Sequence, residues 1–98
     1  MNNTGNAAAL VAEWQDIRKR QAALVETLTA EDGEPSELVA LAGDNEALCV
    51  RISECTPKSQ QDAAAMLDWV TQDCVGTIYD PMHLQATTSV AEFLRSAA

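Results

Sequence analysis

Four side chains could bind a metal or attack an electrophile: Cys49, Cys55, Cys74 and the only histidine, His83. Zinc sites usually pair cysteines two to four residues apart at a tight turn. Cys49 and Cys55 are six apart on one expected helix, which puts them about 240° apart around its axis. They cannot face one ion, so no metal site is expected, and no cofactor. A nucleophilic cysteine needs a base within hydrogen-bond reach. Cys74 lies one short link before His83, so contact between them is open. No nucleophile elbow or glycine-rich oxyanion loop accompanies them. The cysteines are therefore expected to be small buried hydrophobes. His83 is expected on the surface beside a helix cap, where the positive helix end disfavours its protonation. Asp62, Asp68 and Asp73 share a helix at separations of six and five residues, which scatters them instead of building one ligand face. Glu-x-x-His, GxGxxG and GxxxxGK[ST] are absent. No catalytic residues and no enzymatic activity are expected.

These side chains must be carried by helices. The chain is rich in alanine, leucine and glutamate, aromatics are 4%, and β-branched runs are missing. Ninety-eight residues suit one domain, with residues 1–6 as a frayed tail. The net charge of −9 is placed unevenly: acids and bases balance through residue 28, and the whole excess lies beyond it. Such a chain repels nucleic acid and anionic membrane, so direct binding to either is not expected. No apolar run is long enough to cross a bilayer. Residues 1–6 are polar with no apolar leader region behind them. With an odd number of cysteines, this points to a reducing, cytoplasmic setting.

Two stretches organise the rest. Leu10, Trp14, Ile17, Gln21, Leu24 and Leu28 alternate steps of four and three; so do Leu38, Leu41, Asn45, Leu48, Ile52 and Cys55. This is the seam of one helix packed on another. Folded antiparallel about Gly33-Glu34-Pro35, the seams fall into register: Leu28 on Leu38, Leu24 on Leu41, Ile17 on Leu48, Trp14 on Ile52, Leu10 on Cys55. The polar positions Gln21 and Asn45 then coincide, and such pairs fix register or orientation at some cost in stability. A first helix is expected over about 7–29, capped by Asn6 or Thr4, and a second over about 36–54, running through Gly43.

The rest of the chain reads as two shorter helices. One spans about 57–75, capped either by Thr56 before Pro57 or by Ser59 with Asp62 three later, with Ala63, Met66, Leu67, Val70 and Cys74 inward and Gly76 as its C-terminal cap. Thr77-Ile78-Tyr79 is a short extended link. Asp80-Pro81 starts the last helix, about 81–96, with Ala86, Val90, Phe93, Leu94 and Ala97 inward. Trp69 falls about 100° from Val70, at the core boundary, where it either packs under helix 4 or the Ile78-Tyr79 link or anchors a partner. Arg18-Lys19-Arg20 wraps around helix 1, with Asp16–Arg20 as an i,i+4 pair and a basic docking spot as the alternative. The fold expected is all-α: a long antiparallel hairpin with two shorter helices packed across it.

Ile52-Ser53-Glu54-Cys55-Thr56-Pro57-Lys58-Ser59, with Ala63-Ala64-Ala65-Met66-Leu67, resembles short uncharacterised helical proteins of bacteria and their prophages, over about residues 10–75. The sequence departs from that pattern at Gln60, Gln61 and Asp62, where threonine, an aliphatic and a small residue are usual, and at Met66, where lysine is. The resemblance implies helical architecture and no activity. The function expected is a non-enzymatic protein-interaction or accessory module, self-associating as a homodimer or binding a partner protein, with Gln21, Asn45 and Trp69 as interaction candidates. The alternative is an acidic nucleic-acid mimic that blocks a partner's basic site. Salt separates them, because a charge-driven contact collapses as ionic strength rises.

Overall fold

The computed structural model describes residues 6–28, 36–74 and 80–97. All regular structure among them is helical: α1 Ala7–Thr27, α2 Ser36–Ser53, α3 Gln60–Asp73 and α4 Pro81–Ala97. The Gly33–Pro35 turn, the Gly76 cap and the Thr77–Tyr79 link expected above lie outside these residues, as do Thr4 and most of the tail. No helix among the described residues is long and apolar enough to cross a membrane.

Three of the starts have a cause within the described residues. Asn6 caps α1, its Oδ1 accepting the Ala9 amide at 3.4 Å. The first of the two candidate starts for α3 loses to the second. Ser59 is the cap, its Oγ accepting the Asp62 amide at 3.1 Å, and Pro57 stays outside the helix. Asp80 caps α4, its Oδ1 accepting the amides of Met82 at 2.9 Å and His83 at 3.3 Å. α2 passes through Gly43 unbroken, and a Cβ there would meet nothing within 4 Å.

α1 and α2 form the hairpin, their contact being the most extensive. α3 packs on α1, α4 on α2, and α3 on α4, so the shorter pair makes a second layer. Burial follows the seams near the open end of the hairpin, at Leu10, Trp14, Ile17, Leu48, Ile52 and Cys55. It fades toward the closed end. Leu41 is buried, but Leu24, Leu28 and Leu38 are only partly covered. The stretch from Arg18 to Leu28 with Ser36 to Ala47 is thus a two-helix arm.

Two expected inward residues face outward. Leu67 is 40% and Leu94 is 47% exposed. The buried arc of α3 runs through Asp62, Ala63, Met66 and Trp69, and Leu67 lies about 100° past Met66. In α4 the arc is His83, Ala86 and Val90, with Phe93 partly covered. Asp62 is drawn inside because its carboxylate ties two helix starts together. Oδ1 accepts the Ala8 amide and Oδ2 the Lys58 amide, each at 3.1 Å.

Candidate functional site

The densest polar cluster sits where α3 ends and α4 begins. The Asp80 cap turns the first turn of α4 so that His83 points inward, with only 1% of it exposed. This corrects the expectation of a surface histidine. Its ring lies against Trp69, centroids 5.1 Å apart at 58°. Nε2 is 2.7 Å from Asp73 Oδ2, and Nδ1 is 3.2 Å from the Cys74 sulfur. Nδ1 also receives the Asp80 amide at 3.2 Å. A nitrogen that accepts a backbone N–H carries no proton, so in neutral His83 the proton is on Nε2 and donates to Asp73. The Cys74 thiol then donates to Nδ1.

Cys74, His83 and Asp73 therefore stand in the order nucleophile, base, orienting carboxylate. The electrostatics oppose that use. Partial burial, then the Asp73 and Asp80 carboxylates, push the Cys74 thiol above its ordinary value of 9.0. The thiol also sits at the negative end of α3. The first amides of α4, which could hold an oxyanion, are turned to the Asp80 carboxylate. The cluster is a hydrogen-bonded clamp joining α3 to α4. Among the described residues, no set of three or more His, Cys, Asp or Glu is placed to hold a metal ion.

Cys49 is raised as well, first by burial and next by Asp73. A thiol held above its unfolded value keeps its proton while the unfolded chain loses one, so it adds stability that disappears as pH rises past the unfolded value. Melting temperature should fall as pH climbs above about 9. Iodoacetamide should label Cys74 with a half-maximal rate at higher pH than a free cysteine. Both are checked by pH-dependent melts and by mass spectrometry of labelled chains.

The three interaction candidates fall in different places. Trp69 is not at the boundary: it is 0% exposed. Its indole N–H and that of Trp14 both approach the Cys49 sulfur, yet neither makes a hydrogen bond of good geometry. Gln21 and Asn45 sit half-buried in the arm, and Asn45 Oδ1 is buried without a partner. The coincidence of the two polar positions is thus not consummated as a hydrogen bond. An unmatched buried carbonyl costs about 1–3 kcal/mol. Asn45→Leu should therefore stabilise the fold by about 1 kcal/mol, raising the melting temperature by about 4–8 °C. Unchanged melting would mean that the amide is hydrated in solution.

Beside the end of α3 runs an open groove of about 490 Å³ lined by Trp14, Gln15, Arg18, Lys19, Ala22 and Gln72. The Arg18 guanidinium lies 5.6 Å from the centre of the Trp14 ring. Arg20 pairs with Asp16 at 3.0 Å, as its spacing led one to expect. Arg18 and Lys19 have no ion pair among the described residues. The side of α1 that meets α3 carries Ala8, Val11, Ala12 and Gln15. One and two heptads on, the same side presents Arg18, Ala22 and Val25, all exposed, with no described helix packed over them. On α2, Cys49 and Ser53 are covered, while Ala42, seven residues before Cys49, and Glu46 and Val39, seven and fourteen before Ser53, are exposed. Val25 and Val39 are 55% and 53% exposed. Sequence reasoning missed this flank because the seam alone does not say how far along the hairpin the second layer reaches.

Comparison of the chain with protein-family models, with curated proteins and with solved structures finds no match.

Proposed function

We propose that the chain is a non-enzymatic protein-interaction module that self-associates through the bare flank of its helical arm. One observation carries this reading: α3 and α4 cover only one half of a continuous hairpin flank. The other half presents Ala22, Val25, Val39 and Ala42 to water. Covering a valine or leucine fully is worth roughly 1.5–3 kcal/mol, so an arm that leaves such residues open gains by meeting a matching surface.

Light scattering at low and high salt tests it, with the Val25→Asp/Val39→Asp double variant as control. Both positions are exposed, so the variant should keep its helicity and its melting temperature. The expected result is a species heavier than the chain that persists at high salt and reverts to monomer in the variant. Association indifferent to the two aspartates would remove the arm from consideration. Association that vanished at high salt would point to a contact made by charge alone.

A further inference from the structure

We draw no further inference here: the strongest candidate, the exposed flank of the helical arm with Arg18 and Glu46 toward the body and Val25 and Val39 beyond them, is the surface already proposed for self-association, and nothing in the structure shows how a second copy would lie across it.

Discussion

Trp69→Ala should cost about 3–5 kcal/mol, a large share of what holds a domain of this size together. The indole is 0% exposed. It fills the space between α3 and the first turn of α4, its ring against His83 at 5.1 Å. Its N–H is directed at Cys49, so it touches α2 as well. Alanine would open a cavity where three helices meet and leave His83 without the face that holds its ring. By circular dichroism the melting temperature should drop by at least about 12 °C. Trp69→Phe should recover most of that loss, because the N–H makes no good hydrogen bond. A Trp69→Ala chain that melted like the wild type but no longer associated would restore Trp69 as a partner contact.

The reason Trp69 reads as a boundary residue in sequence is instructive. A helix that packs on one neighbour buries a narrow stripe, and Val70 would centre it. α3 packs on both α1 and α4, so its arc widens to take in Asp62 and Trp69 and drops Leu67. The seams of α1 and α2 were legible because they are local patterns repeated over several turns, and their burial near the open end follows those positions. Caps were legible for the same reason: Asn6, Ser59 and Asp80 act on amides within three residues. What joins distant turns was not. Nothing in the spacing of Asp73, Cys74 and His83 says that a cap at Asp80 will rotate the imidazole inward between them. Nor does the coincidence of Gln21 and Asn45 say whether two amides close a bond. The bare flank of the arm is the difference between the hairpin's length and the reach of the shorter helices, and only the assembled layers show it.

Asp62→Ala should be the second most damaging substitution, at about 3 kcal/mol. The carboxylate is 7% exposed and accepts two amides from different parts of the chain, Ala8 in the first turn of α1 and Lys58 ahead of α3. Hydrogen bonds to a charged acceptor are worth about 1.5–3 kcal/mol each, and the two share one side chain, so their loss is not additive. A negative group at two helix starts also offsets both macrodipoles. Asp62→Asn keeps an acceptor but gives up the charge and turns a donor toward an amide, so it should lose about half as much. Urea midpoints would read both. The position adds a discrimination that core substitutions lack. Asp62 lies at the open end of the hairpin, and the arm flank lies at the other. Asp62→Ala should therefore lower the urea midpoint while leaving association of the folded chain unchanged. Val25→Asp/Val39→Asp should do the reverse. Loss of both properties in either variant would mean that the arm cannot be separated from the core, and that the surface proposed for docking is instead part of what holds the fold.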